Sequence, residues 1–178
     1  GSMVHAGAFC GDMLPSFSKS VNGFVYAFEP VLENFIMSKQ SVMQNDLQNV
    51  FLFNAALGNE VKCLRINIGI GQNWHRAGGS AIDEIGDLCV SLTIDNFTYS
   101  SLILIQLDVE GFELNALQGA ENTIKQHHPI IALEDNKLNC SKFLTSHGYV
   151  FTLSIPGLDI WVHNERTNYL EKVKNIKF

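Results

Sequence analysis

Three carboxylates follow the most apolar segment of the chain. Residues 102–107 read Leu-Ile-Leu-Ile-Gln-Leu, and Asp108, Glu110 and Glu113 come directly after them. An apolar run of this length is typical of a parallel strand that is buried on both faces. Because ligands of open α/β sheets bind outside the carboxyl ends of the strands, the three acids are candidate catalytic or binding residues. Alternatively, they complement the dipole of a following helix, and the two roles are compatible.

Asp108 and Glu110 are the candidates for a general base. Two neighbouring carboxylates raise the pKa of one of them, which favours proton acceptance near neutral pH. A second short apolar run, residues 130–133, is followed by Glu134 and Asp135. If the two strand ends are adjacent, Asp108, Glu134 and Asp135 could instead bind Mg²⁺, which prefers oxygen ligands.

A glycine-containing turn follows the first predicted strand, residues 3–6. Gly7 and Gly11 would allow close approach of a ligand and expose amide groups at the start of a helix, or they would merely make a tight turn. The second predicted strand, residues 24–28, ends in Glu29, roughly 20 residues beyond the turn. An acid in this position is placed to accept hydrogen bonds from ribose hydroxyls.

Two further segments are candidates for contact with a ligand. A third predicted strand, residues 50–53, is followed by Asn54 and small residues, which could leave room for a flat base hydrogen-bonded to Asn54. A simple strand end is the alternative. Residues 67–87 are rich in glycine, and we expect a mobile lid over the site, since a loop of about 20 residues in a compact domain is usually functional or disordered.

Strand and helix patterns alternate along the chain. The predicted strands are residues 3–6, 24–28, 50–53, 61–66, 89–94, 102–107, 130–133, 149–153 and 158–163. The last two predict a closing antiparallel hairpin, and residues 113–127 predict one amphipathic helix. A right-handed, doubly wound α/β sheet is the simplest arrangement of these elements.

The composition predicts one globular domain that does not bind nucleic acid. The chain has 178 residues, 46% of them hydrophobic, with a net charge of −6 and a pI near 5.4. This length supports a single domain over residues 3–178, and the negative charge disfavours binding to a phosphate backbone. We expect residues 1–2 to be the remnant of a tag and residues 164–178 to form a surface tail.

The four cysteines are scattered without a Cys-x-x-Cys pair, which predicts free thiols in a reducing compartment, the cytoplasm. No apolar run reaches the roughly 18 residues needed to span a bilayer, so we expect a soluble protein without a membrane partner. The oligomeric state is left open, with a homodimer as the assembly considered.

Several motifs, taken in order, resemble the FkbM family of S-adenosylmethionine-dependent methyltransferases. They are residues 4–12, 26–30, 54–58, 79–80, 93–97, 108–113, 117–121 and 129–134. The resemblance spans nearly the whole chain, and the block Asp-Val-Glu-Gly-Phe-Glu at residues 108–113 is its most specific part. It implies a Rossmann-like class I methyltransferase sheet, mostly parallel, with an antiparallel C-terminal hairpin. It also implies O-methylation of a hydroxyl on a carbohydrate or natural-product-like small molecule.

The resemblance also implies roles for individual residues. S-adenosyl-L-methionine would be bound by Gly7, Ala8, Gly11, Glu29, Asn54, Ala55 and Asp108, and the acceptor by Glu110, Glu113, Glu134 and Ser80. Within the first set, the two glycines would line the methionine end, Glu29 would hold the ribose, and Asn54 with Ala55 would border the adenine. Asp108 would lie beside the transferring methyl group.

Two departures from the family pattern keep other functions open. His5 stands where the family usually has an acid, and Phe9 replaces a small polar residue in the glycine turn. The alternative function is therefore an inactive, methyltransferase-like module for cofactor binding or protein interaction. A nicotinamide-dependent oxidoreductase would share the turn and Glu29, but it would normally show a Gly-x-Gly-x-x-Gly turn, which residues 7–12 lack.

Overall fold

The computed structural model describes residues 1–67, 81–83, 86–134 and 139–176. Its strands are β1 Ser2–Ala6, β2 Val25–Phe28, β3 Val50–Phe53, β4 Ala56–Leu57, β5 Lys62–Asn67, β6 Ala81–Asp83, β7 Asp87–Leu92, β8 Leu102–Leu107, β9 Ile130–Leu133, β10 Tyr149–Ile155 and β11 Leu158–His163. Its helices are α1 Leu14–Ser20, α2 Leu32–Gln44, α3 Glu113–Gln118, α4 Glu121–His127, α5 Cys140–Ser146 and α6 Thr167–Lys174.

Seven strands form one sheet in the order β10-β11-β9-β8-β1-β2-β3. Neighbouring strands from β9 to β3 pair in parallel, whereas β11 is antiparallel to both β9 and β10. The last strand is thus inserted between its two predecessors and runs against them. This arrangement confirms the predicted fold class, including the closing hairpin.

Helices cover both faces of this sheet. Leu14 from α1 belongs to a buried cluster with Met3 and Val25 of the first two strands. On the opposite face, Leu117 and Ile124 from α3 and α4 pack in a larger cluster with strand residues such as Ile105, Leu107 and Ile131. The almost unbroken apolar sequence of β8 is explained by its position between these two layers.

A second sheet has the order β4-β7-β5-β6. The strand predicted at residues 89–94 is displaced in it, because β7 ends at Leu92 and Ile94 begins a 3₁₀ turn. In that turn the Thr93 side chain accepts the backbone N–H of Asn96, and the Asn96 side chain accepts that of Thr93. The mutual cap stops the strand two residues early.

The helix predicted over residues 113–127 is two helices that meet at Gly119. A β-carbon at Gly119 would lie 1.9 Å from the carbonyl oxygen of Gly58, so the backbone segments around these two glycines are in close contact. The Asp95 carboxylate then accepts hydrogen bonds from the backbone N–H groups of Asn122 and Thr123 at the start of α4. The one-helix prediction was wrong because the cap comes from a residue distant in sequence.

Residues near both ends of the chain belong to regular elements. Ser2 lies in β1 and is buried, with its backbone N–H donating to the carbonyl of Ser101. The predicted tail contains α6, whose Val173 is buried. None of the helices in the described part of the chain has the length and apolar character needed to cross a bilayer.

Candidate active site

A cavity of about 560 Å³ opens at the carboxyl ends of β1, β2 and β8. The chain runs from β1 to β2 and β3 on one side of the sheet and to β8 and β9 on the other, so the strand order reverses between β1 and β8. Crevices at such a reversal are the usual ligand sites of open α/β sheets. The position agrees with the site predicted from the strand ends.

The glycine turn after β1 is held against the end of β2. The backbone N–H groups of Gly7 and Ala8 both donate to the Phe28 carbonyl oxygen at 3.0 Å. Gly7 has φ +87° and Gly11 has φ +77°, values that L side chains rarely adopt. Gly7 also lines the cavity. Glycine is required at residue 7 because the backbone after β1 comes close to the Asp108 carbonyl oxygen at the end of β8.

Gly7→Ala is expected to destabilise the protein far more than a glycine-to-alanine change elsewhere. The added β-carbon would lie 2.1 Å from the Asp108 carbonyl oxygen, in addition to the roughly 1–2 kcal/mol that a left-handed backbone costs an L residue. Gly157→Ala is the matched control, since it has φ +77° and nothing within 4 Å of its β-carbon. Urea unfolding should show a clearly larger loss for Gly7→Ala, and equal losses would contradict the close approach of the two strands.

Glu29, the residue directly after β2, is a polar residue of the cavity wall. It is only 4% exposed. Its Oε2 atom accepts the backbone N–H of Phe9 at 2.7 Å, and its Oε1 atom accepts that of Val31 at 2.9 Å. The Asn34 side-chain amide donates to Oε1 at 3.5 Å. Burial raises the pKa of Glu29, and the two backbone donors oppose that rise.

Phe9 is accommodated in the turn despite its size. It has φ +47°, and its backbone is held on both sides, by Glu29 at its N–H group and by the Ser38 hydroxyl at its carbonyl oxygen. Phe9 lines the cavity. The turn thus keeps its connection to Glu29 although a large residue occupies this position.

The segment after β3 closes the cavity on a third side. Ala55, Ala56 and Leu57 line it with small and apolar surface. Asn54 is exposed, and its side-chain amide donates to the carbonyl oxygens of Glu29 and Pro30 at 2.9 and 3.1 Å. Asn54 thus joins the ends of β2 and β3.

The predicted carboxylates meet at the end of β8. Asp108 and Glu110 line the cavity, and Glu134 follows β9, the strand next to β8. Desolvation by partial burial, followed by the interaction with Glu134, raises the pKa of Asp108 to about 6. Desolvation and the charges of Glu134 and Glu113 also raise the pKa of Glu110. Asp108 can therefore accept a proton near neutral pH.

Glu113 supports the loop that carries these acids. It is 1% exposed, and its Oε1 atom accepts the backbone N–H groups of Val109 and Gly111 at 3.3 and 3.0 Å. Its Oε2 atom has no hydrogen-bond partner in the described part of the protein. This loop includes Glu110 at φ +51° and Gly111 at φ +88°. Glu113 therefore stabilises the positive-φ turn at Glu110 and Gly111 by binding the N–H groups of this loop.

Comparison with known families identifies the chain. Residues 6–154 match the methyltransferase FkbM domain. The chain belongs to the FkbM methyltransferase family. Comparison with curated proteins finds no match.

Three solved structures show the same fold. A methyltransferase FkbM from Methylobacillus flagellatus KT has a TM-score of 0.68 at 19% identity, covering 91% of this chain and 43% of that one. A SAM-dependent methyltransferase from Aquifex aeolicus has a TM-score of 0.51 at 14% identity, with coverages of 90% and 79%. An rRNA methylase from Streptococcus thermophilus has a TM-score of 0.52 at 10% identity, with coverages of 91% and 86%. The chain thus spans less than half the length of the FkbM protein with which it is compared.

The FkbM cavity brings together some of the predicted residues and not others. It is lined by Gly7, Glu29, Ala55, Asp108 and Glu110, whereas Ala8, Gly11, Asn54, Glu113 and Glu134 lie outside its lining. Ser80, Asp135 and most of the predicted lid at residues 67–87 lie outside the described residues. The ligand roles of all these residues stay predictions.

Sequence reasoning assigned no site role to four polar residues of the cavity wall, which are His5, Asp12, Asn34 and Gln106. His5, which was noted only as a departure, is 4% exposed, and its Nδ1 atom hydrogen-bonds with the side-chain oxygen of Gln106. Burial lowers the pKa of His5 to about 4, so the ring is neutral near pH 7. The signal for Gln106 was its position as the one polar residue within the apolar run of β8.

Among the described residues, one group has side chains close enough together to hold a metal ion. It consists of His128, His163 and Glu165, none of which lines the cavity. The two imidazole rings stack with centroids 3.6 Å apart at an interplanar angle of 6°. Nitrogen lone pairs lie in the ring planes, so two parallel stacked rings do not direct them at one ion. The stack is better explained as packing where α4 meets β11.

Proposed function

We propose that this protein is an S-adenosylmethionine-dependent O-methyltransferase that acts on a hydroxyl of a carbohydrate or natural-product-like small molecule. The observation that carries the proposal is the convergence of the glycine turn, Glu29 and Asp108 on one cavity at the strand-order reversal of an FkbM domain. The cavity volume is within the range of small-molecule sites.

The residues of the cavity fit the cofactor. Glu29 offers a buried carboxylate, with lone pairs beyond those used by Phe9 and Val31, to the hydroxyls of a ribose. Ala55, Leu57 and Phe28 provide small and apolar surface for a flat base. When bound, S-adenosylmethionine supplies a methyl group activated by its sulfonium charge.

Asp108 is proposed to accept the proton of the acceptor hydroxyl. Its raised pKa keeps it a useful base near neutral pH, and it lies on the same cavity wall as Glu110. The cavity also holds the acceptor near this base, and placement of this kind supplies much of the acceleration of a displacement reaction.

The acidic wall favours a hydroxyl compound over a nucleic acid. Asp108 and Glu110 place negative charge in the cavity wall, Glu134 adds charge close to both of them, and the whole chain carries a net charge of −6. A phosphodiester would be repelled there, whereas hydroxyl groups can donate hydrogen bonds to carboxylates. The rRNA substrate in the name of one structural neighbour is therefore not carried over to this chain.

A role for Mg²⁺ is not part of the proposal. Glu134 does not line the cavity, and Asp135, the third predicted ligand, lies outside the described residues.

Isothermal titration calorimetry with S-adenosylmethionine and S-adenosylhomocysteine tests the proposed function. We expect micromolar binding of both compounds, no binding of NAD, and the same affinities with Mg²⁺ or with EDTA. Binding should be followed by a screen of sugars and hydroxylated natural products for methyl transfer. A folded protein that binds neither compound would overturn the proposal in favour of an interaction module.

A further inference from the structure

Four residues in register cross one face of the large sheet and line the cavity. His5 on β1 pairs with Gln106 on β8, Gln106 pairs with Ala132 on β9, and Ala132 pairs with Ile160 on β11. All four belong to the cavity lining. The cavity therefore continues from the strand ends onto the sheet face, and it crosses three strand boundaries, a distance of about 14 Å.

The far part of this row is apolar. Leu158 and Leu104 line the cavity beside Ala132 and Ile160. On the side of α1, Met13 and Phe17 complete the apolar lining. A ligand that covers these residues gains from burying apolar surface of its own.

The near part of the row is polar but uncharged. The His5 ring packs edge-on against Phe17, with centroids 4.9 Å apart, and no described residue hydrogen-bonds its Nε2 atom. With Nδ1–H donating to the Gln106 side-chain oxygen, Nε2 is an acceptor and the Gln106 amide group is a donor. This part-buried pair thus offers one acceptor and one donor to a molecule in the cavity.

The His5–Gln106 pair lies close to Asp108, the proposed base. Gln106 and Asp108 are two residues apart on the same chain segment and line the same cavity, which corresponds to roughly 7 Å. A hydroxylated ring could therefore place one hydroxyl at Asp108 and another polar group at the His5–Gln106 pair. Any substituent that continues in the same direction would lie over Ala132 and Ile160.

We propose that the methyl acceptor is amphipathic, with a hydroxylated head between Asp108 and the His5–Gln106 pair and an apolar substituent over Ala132, Leu158 and Ile160. This inference rests on the proposed function, because it assigns the acceptor of the same site. It selects, among hydroxyl compounds, those with an apolar chain or ring system attached to the polar head.

Two glucosides that differ only in their aglycone test this inference. Octyl β-D-glucoside, below its micelle concentration, and methyl β-D-glucoside are titrated calorimetrically, with and without saturating S-adenosylhomocysteine. We expect the octyl compound to bind at least tenfold more tightly. Leu158→Glu should remove most of this preference by placing a charge against the chain, while Leu88→Glu, on an exposed part of β7, should leave it unchanged.

Equal affinity of the two glucosides would overturn the inference. So would an octyl preference that Leu158→Glu leaves intact, because the chain would then bind elsewhere. If thermal unfolding shows that Leu158→Glu is not folded, Ile160→Thr provides the milder variant of the same row. Because the titrations without S-adenosylhomocysteine do not depend on cofactor binding, failure of the proposed function and failure of this inference give different results.

Discussion

Asp108→Asn is expected to lower the rate of methyl transfer by about 100-fold to 10,000-fold, the usual contribution of a general base, while S-adenosylhomocysteine affinity stays nearly unchanged. Asparagine has nearly the same shape as aspartate, but its amide cannot accept the acceptor's proton. Single-turnover rates with an acceptor from the screen, together with calorimetry, separate the effect on chemistry from the effect on binding.

The pH dependence of the rate provides an independent test of the same residue. Asp108 accepts a proton only when it is ionised, and its pKa is raised to about 6. The wild-type rate should therefore rise with pH through about 6 and level off above it. Asp108→Asn should lack this step.

Asp46→Asn is the matched control for the change of charge. Asp46 is exposed, lies outside the cavity and has φ +51°, a conformation that asparagine also tolerates. Its substitution should change neither the rate nor the pH profile. An Asp108→Asn variant with wild-type turnover would exclude Asp108 as the base, and a loss confined to Glu110→Gln would transfer the role to Glu110.

Glu29→Ala is expected to weaken cofactor binding by about 1–3 kcal/mol, which corresponds to roughly 5-fold to 150-fold in Kd. The variant loses the carboxylate proposed to accept the ribose hydroxyls. It also leaves the backbone N–H groups of Phe9 and Val31 without their partner, so the glycine turn loses its connection to β2. Calorimetric titration with S-adenosylhomocysteine measures the change in affinity.

Glu33→Ala controls for the loss of a nearby negative charge. Glu33 is an exposed residue in the first turn of α2 and is not part of the cavity lining. It should bind S-adenosylhomocysteine with nearly the wild-type affinity. Unchanged affinity in a folded Glu29→Ala protein would remove Glu29 from the ribose role.

Some parts of the fold follow from local sequence. The bounds of β3, β8 and β9 were predicted correctly because each is a short, mainly apolar run that is bounded by polar residues or, at the start of β9, by Pro129. The hairpin of β10 and β11 was predictable from its Pro-Gly turn between two strand-like segments. The location of the cavity also follows, since it depends on which residues end parallel strands.

Other features depend on contacts between residues distant in sequence. The helical periodicity of residues 113–127 is continuous, and only the approach of Gly58 to Gly119 and the cap from Asp95 divide it. Likewise, an acid that follows an apolar strand is predicted to line a cavity. Glu113 instead accepts hydrogen bonds from the backbone N–H groups of its own loop.

By itself, the sequence determined the strands of the large sheet, the family, and the placement of Glu29 and Asp108 at strand ends, because alternation and apolar runs are properties of neighbouring residues. Only the tertiary structure decided that His5 and Gln106 form a pair and that their row continues to Ile160. Strand register joins residues about 100 positions apart, and no local pattern encodes which of them will lie side by side.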